Sequence, residues 1–306
     1  MALCRLTLRL TAPLGTPVQG PTLFGLICWL IREAEGEAAL TAWLADPARC
    51  WTVSDGFPAG WLPRPLVHPA PVAEADFDRL KEVKKRTLVS RAAWLRLRDG
   101  WRDAALGPEE TASDHALIRR VSRNHVNRRG QGTIEDGGLF HIEEDWRFCR
   151  AETRDLDLYV DTAEPLARVE ALIATLGRRG YGRDAGIGRG RWQVVAAVED
   201  VELAGHLGAR RMSLSRGVLD PATMRDALWR LEPHVGRLGP ELALAGVSPF
   251  KRPVLLLRPG ATFTAEGPGP WGRMLSGLHP DRPEVVLNAR HIAIPFTEAA
   301  PAAEAA

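Results

Sequence analysis

Residues 178–193 read RRGYGRDAGIGRGRWQ. Five glycines stand between positions 180 and 190, and arginines fill most of the gaps. Before them lies EPLARVEALIATLGRR (164–179), apolar at helical spacing, with Pro165 near its start and Gly177 near its end. After them comes RWQVVAAVEDVEL (191–203), which reads as a strand. Helix, glycines, strand is the reverse of the dinucleotide fingerprint, where glycines follow a strand and open a helix. The loop has no Gly-Lys-Ser/Thr run, so a P-loop fails as well. Two readings stay open: a flexible solvated connection, or a loop that clasps a phosphodiester chain. Unusually long loops are commonly functional. Arg183, Arg189 and Arg191 would neutralise phosphates, and Tyr181 or Trp192 would support a base or pack inside.

Outward from the loop, LDLYVDT (156–162) is a strand, so a unit opens near residue 151 as strand, helix, strand. The chain itself opens in a similar order. Residues 2–11 alternate as a strand, TAPLGTPVQG is a loop, and a helix runs from Pro21, in its first turn, to Gly36. No sequence repeat links the halves. LFHIEEDWRFCR (139–150), RPVLLLRPGATF (252–263) and RHIAIPF (290–296) read as further strands, and TEAAPAAEAA (297–306) as a disordered tail. A length of 306 residues suits two domains.

The longest apolar run, TLFGLICWLI, is about ten residues and too short to span a membrane. MALCRLTLRL reads as a strand and not as a signal peptide. Cys4, Cys28, Cys50 and Cys149 form no CxxC pair, which argues against a zinc site or a disulfide framework and suits a cytoplasmic protein with buried thiols. Net charge is only +2, but the basic residues bunch. KEVKKRTLVSRAAWLRLR (81–98) carries Lys84, Lys85 and Arg86 among its seven cations, against a lone Glu82. RRVSRNHVNRRGQG (119–132) holds Arg120, Arg123 and Arg128 with no acid at all, beside Asn124 and Asn127. A single charge run is ordinarily a solvated face. Three such segments folded together would repel unless a polyanion sat among them. Trp43, Trp51, Trp61, Trp94 and Trp101 read mostly as core or interface residues.

Four stretches together are similar to one family. GYGRDAGIGRGRW resembles the glycine-rich loop of the RAMP superfamily, the RNA-binding proteins of CRISPR systems. PTLFGLICWLIRE, VSRNHVNRRGQGTIEDGGLFHIEEDWRF and SPFKRPVLLLRPGATF resemble the first helix, central hairpin and penultimate strand of the type III-A subunits that cap the crRNA 5′ end. The matches run from residue 6 to about 296.

The resemblance implies an α+β chain of two ferredoxin-like domains of RRM type, with long inserted loops and a thumb hairpin. The expected spans are 1–150 with the thumb, 151–298 with the glycine-rich loop, and the tail from 299. It implies binding of the crRNA 5′ handle, and contacts to a large polymerase-like subunit and to a RAMP backbone subunit. Target RNA would be met only indirectly, DNA and membrane not at all, and no metal, cofactor or catalytic residue is expected. Carried over by position, the handle site comprises Gly20 and Thr22 at the helix start and the loop residues Gly180, Tyr181, Gly182, Arg183, Gly186, Gly188, Arg189, Gly190 and Arg191. Asn124, Asn127 and Arg128 belong to the thumb. Many relatives have an acid where this chain has Pro21, and a serine where it has Gly186. With about five phosphates engaged, affinity would fall by roughly three to four decades per tenfold rise in salt.

Three rivals remain. A metal-independent crRNA-processing endoribonuclease of the same fold would use His125, or after it His68, as general acid or base. A target-cutting backbone subunit would use Asp136 or the Glu143, Glu144, Asp145 run, whose other reading is a solvated or capping cluster. A binding scaffold without RNA is the third. The equivalent type III-B subunit has the same fold and role.

Overall fold

The first strand, β1 (Ala2–Leu10), sorts its side chains by alternation. Cys4, Leu6, Leu8 and Leu10 are buried on one face, while Arg5, Thr7 and Arg9 occupy the other. Helix α1 (Gly20–Glu35) turns Leu23, Phe24, Ile27, Leu30 and Ile31 inward at helical spacing and stops at Gly36, whose φ is 92°. Helix α2 (Glu37–Ala45) follows at once, then β2 (Thr52–Val53).

A long insertion carries β3 (Phe57–Pro58), β4 (Trp61–Pro63), α3 (Phe77–Lys85), β5 (Leu88–Ser90), α4 (Arg91–Leu97) and β6 (Thr111–Ala112). It ends in a hairpin, β7 (Ile118–Asn124) with β8 (Leu139–Asp145). Then come β9 (Asp155–Thr162), α5 (Leu166–Arg179) and β10 (Trp192–Glu199). The computed structural model describes residues 2–69, 77–127, 130, 132–134, 138–239, 248–267 and 269–299.

The first sheet has the order β10-β1-β9-β2, every pair antiparallel, with β3 added to β9. Helices α1 and α5 cover one face and close a core of Leu6, Leu8, Leu23, Ile27, Ile173 and Trp192. The boundary expected at residue 150 therefore does not hold. β1-α1-β2 and β9-α5-β10, read in the sequence as the openings of two units, are halves of one sheet, because β1 pairs with both β9 and β10.

A second sheet is built from β11 (Arg210–Ser213), β12 (Met224–Leu228), β15 (Thr262–Ala265) and β18 (Ala293–Phe296). It is reached through the one-turn helix α6 (Val201–Ala204). The hairpins β13 (Leu231–His234) with β14 (Val254–Leu257), and β16 (Trp271–Leu275) with β17 (Leu287–His291), interrupt it. Its order, β12-β15-β11-β18, is antiparallel throughout and repeats the permutation of the first sheet, with hairpins where helices would cross. The stretch expected as one strand at 252–263 is divided between β14 and β15, which lie in different sheets. The strand expected at 191–203 ends at Glu199.

Leu3 and Tyr159, on the back of the first sheet, pack with Met212, Ile294, Phe296, Trp94 and Trp101 in a second core joining the sheets. Trp43, Trp51, Trp94 and Trp101 are all buried, as expected of core tryptophans. Among the described residues no helix is long and apolar enough to cross a membrane.

Burial holds His234 and His291 at about 4, below the usual 6.5. His291 Nε2 lies 3.2 Å from the Val218 carbonyl oxygen, and Nδ1 lies 2.7 Å from the Ser213 hydroxyl. Both rings stay neutral in the fold where the unfolded chain would take up protons. Their contribution is complete above pH 6.5 and is lost as pH falls toward 4. The melting temperature should drop across that window, and the slope should flatten in the double variant His234→Gln, His291→Gln. An unchanged slope in differential scanning fluorimetry would count against this assignment.

Candidate nucleic-acid interface

The glycine-rich loop is folded onto the segment that links β1 to α1. The Gly190 amide donates to the Pro13 carbonyl at 2.8 Å, and the Arg183 amide donates to the Thr16 hydroxyl at 3.0 Å. Tyr181 is fully buried. Its hydroxyl donates to the Pro17 carbonyl at 2.9 Å and accepts from the Gln19 amide at 3.0 Å, and it also bonds the Thr22 side chain. Burial pushes this phenol well above its usual range. The same linking segment grips the root of the hairpin, because Leu14 and Asp145 exchange both backbone bonds, at 3.0 and 2.9 Å. Loop, linker and hairpin root thus converge at one rim.

Buried charge locks that rim. Glu144 is fully buried and accepts from Arg189 at 2.9 Å, from Arg123 at 3.0 Å and from the Trp146 indole at 3.2 Å. Arg123 reaches back into the loop, 3.0 Å from Asp184. Asp145 ties down the turn beyond β8, accepting from the amides of Leu117 and Arg147, each at 2.9 Å. Asp145 also pairs with the Arg147 guanidinium at 2.5 Å, so Glu144 and Asp145 are both buried ion-pair partners rather than a solvated cluster.

Several residues singled out in the sequence are corrected here. Tyr181 offers no ring to a base, since its side chain lies in the core against Trp192, with ring centroids 5.9 Å apart. Arg123 and Arg189 are held by internal carboxylates. Gly20 is buried, and its amide is taken by Asp55 at 3.0 Å, so an internal carboxylate occupies the helix start proposed for a phosphate. Burial raises the Asp55 carboxyl, while Arg216, 2.7 Å away, and the Gly20 amide pull it back.

Lys84, Lys85 and Arg86 belong elsewhere, in the insertion. Lys85 pairs with Glu82, and Arg86 bonds the Pro108 and Thr111 carbonyls. Farther along, Arg91 pairs with Asp200 and Arg96 with Glu110. Acids outside the run thus compensate Arg91 and Arg96, while Arg86 is met by carbonyl oxygens.

The residues left facing solvent are fewer. Arg183 is exposed and donates to the Glu143 carbonyl, while Arg120 and Arg191 are exposed with no ion pair among the described residues. Gly186 lies exposed at the loop tip beside Ile187 and Gly188. The amides of Gly180, Arg183, Ala185, Ile187, Gly188, Arg189 and Gly190 donate within the protein, so the loop is far less bare than its glycines suggest. Gly182 is half-buried against Thr16. On the hairpin, the Asn124 side chain bonds Thr133 at 3.3 Å, and the Asn127 amide oxygen accepts from Gly130 at 3.3 Å. Arg128 and Asp136 lie outside the described residues.

Sequence reasoning missed Asp55, Pro13, Thr16 and Pro17. Nothing local marks them, because their partners lie 35 to 177 residues away in sequence.

No family model matches the sequence, and no curated protein matches it. Solved structures do match in fold. One is the Csm1–Csm4 cassette in complex with pppApA, with TM-score 0.59, 18% identity, and coverage of 97% of this chain and 99% of that one. The same cassette with cA4 gives TM-score 0.60, 17% identity and coverage of 98% and 100%. The Csm3–Csm4 subcomplex of the type III-A CRISPR-Cas interference complex gives TM-score 0.59, 15% identity and coverage of 97% and 99%. The component common to these assemblies is Csm4, and the fold of this chain is Csm4-like.

The two kinds of loop glycine should separate on substitution. A Cβ on Gly190 would sit 2.1 Å from the Tyr181 carbonyl oxygen at φ 66°, whereas one on Gly186 meets nothing within 4 Å. Gly190→Ala is expected to cost about 1–3 kcal/mol in urea unfolding, and Gly186→Ala to stay within about 0.5 kcal/mol of the parent. Equal costs would show that the loop does not pack as described.

Proposed function

We propose that this chain is a Csm4-like subunit of a type III CRISPR effector complex, and that it holds the 5′ handle of crRNA at the rim where glycine loop, β1–α1 linker and hairpin root meet. The observation that carries the reading is the likeness in fold along 97–98% of the chain to structures pairing Csm4 with Csm1 in one case and Csm3 in another. By that likeness, the partners would be a large polymerase-like subunit and a RAMP backbone subunit, with target RNA met only through the guide. The two sheets of matching permutation are then two ferredoxin-like units, the second with hairpins in place of helical crossovers. The hairpin β7–β8 is the thumb. The setting is the cytoplasm.

A single strand is bound by tracking its phosphates and splaying its bases. Arg183 and Arg191 are the exposed loop cations at the rim for that task, Arg183 lying 3.7 Å from Asp184, and Arg120 is a further exposed cation on the hairpin strand β7. With Arg123 and Arg189 held by Glu144 and Asp184, fewer phosphates are engaged than the sequence suggests. The back face of the first sheet, which carries Leu3 and Tyr159 into the second core, has Arg5, Thr7 and Arg9 bonded to Asp155, Asp157 and Asp200, with Asp157 and Asp200 buried. Base stacking on that face therefore plays no part in the proposal.

No chemical step is assigned to the subunit. His125, the candidate base of the rival reading, lies exposed on the hairpin against the Phe140 ring, with centroids 5.0 Å apart.

About three phosphate contacts correspond to a fall of roughly two decades in affinity per tenfold rise in salt. Fluorescence anisotropy with a handle-length single-stranded RNA should show that slope, and Arg183→Glu with Arg191→Glu should weaken binding at least tenfold at fixed salt. Binding that ignores both salt and the two substitutions would refute the handle reading. Metal-free cleavage of repeat RNA, lost in His125→Ala, would replace it with the endoribonuclease.

A further inference from the structure

A second cationic site lies away from the rim. Arg64 follows β4, Arg86 precedes β5, Arg230 stands between β12 and β13, and Arg258 follows β14. These four arginines, from four separate segments, line one small cleft together with Thr87. None of its lining residues belongs to the glycine loop, the linker or the hairpin.

Their compensation is incomplete. Arg64 pairs with Asp103 at 2.6 Å and is braced by the carbonyl oxygens of Arg86 at 3.1 Å and Lys84 at 3.4 Å. Among the described residues Arg86 bonds only neutral oxygens, those of Pro108 and Thr111. Glu82, whose field reaches Arg86, is already held by Lys85 at 2.6 Å. Arg258 meets Glu232 at 3.2 Å, but the same carboxylate oxygen serves Arg216 at 3.0 Å. Arg230 is exposed and has no ion pair among the described residues, while its carbonyl accepts the Arg258 amide at 2.9 Å and so holds the two arginines side by side. Four guanidinium groups thus share one cleft with two carboxylates, one of them divided with a fifth arginine. Like charges gathered in this way are self-repelling, and an anion relieves them. Guanidinium forks suit the tetrahedral oxygens of phosphate.

We propose that this cleft is a phosphate-binding site, taking either a phosphodiester of a bound RNA or the phosphates of a small molecule. Arg86 and Arg64 form its fixed floor, and Arg230 and Arg258 its exposed, adjustable wall. The basic run at 81–98, which the rim does not use, finds a role here through Arg86.

Isothermal titration calorimetry of the full chain with inorganic pyrophosphate tests the site without reference to the handle. Binding is expected in the parent and in Arg191→Glu, with at least a tenfold loss in Arg230→Glu and in Arg258→Glu. Arg230→Gln, which makes no new acid, should give an intermediate loss, and circular dichroism checks that each variant is folded. A saturating single-stranded RNA that displaces pyrophosphate identifies the RNA backbone as the source. Pyrophosphate that still binds the RNA-saturated protein identifies a small phosphate ligand. Absence of pyrophosphate binding in the parent, or equal binding in the Arg230 and Arg258 variants, overturns the proposal and leaves the handle reading untouched.

Discussion

The linker between β1 and α1 is what the candidate interface hangs from. It receives the Gly190 amide at Pro13, the hairpin root at Leu14, the Arg183 amide at Thr16 and the Tyr181 hydroxyl at Pro17. It can do so because β1 is central, hydrogen-bonded along both edges, so its exit point is fixed by the two strands beside it. A buried Tyr181 then sets the loop at a defined height above the start of α1. An edge strand would leave the same linker free to fray, and the loop would have no fixed partner.

Charge is used twice in this molecule, and the two uses compete. Arg123, Arg189, Arg91, Arg96 and Arg216 are joined to carboxylates that brace one element against another. Removing Glu144 would leave two guanidinium groups facing each other across the loop and the hairpin, so this buried carboxylate is a brace and not an exposed acid awaiting a metal. Cations without a carboxylate partner among the described residues include Arg120 and Arg191 near the hairpin and loop, and Arg230 in the arginine cleft, where Arg64 and Arg258 are paired with Asp103 and Glu232.

Much of the local structure was legible. Alternation marked β1, the apolar stripe and Pro21 marked α1, and the 164–179 pattern marked α5. The strand read at 156–162 stood where its pattern placed it, whereas the one read at 139–150 ends at Asp145 and gives way to a short 3-10 turn over Arg147–Cys149. The site was legible only in outline. Glycine spacing pointed to the loop, but seven of its amides are already bonded, four within the loop and three to the helix end and the linker, and the aromatic residue inside it is core. A lone glycine letter does not distinguish Gly190, closed against a carbonyl, from Gly186, open to solvent.

From the chain alone one obtains the elements, their order and the places where backbone must bend, because these follow from side-chain period, glycine and proline within a few residues. Pairing is another matter. Whether β1-α1-β2 and β9-α5-β10 form two sheets or one depends on hydrogen bonds between strands about 150 residues or more apart, and no local pattern encodes them. The same holds for charge. Arg91, Arg96 and Arg123 look uncompensated until the fold brings Asp200, Glu110 and Glu144 to them, so only the tertiary structure decides which cations brace the protein and which are left to solvent.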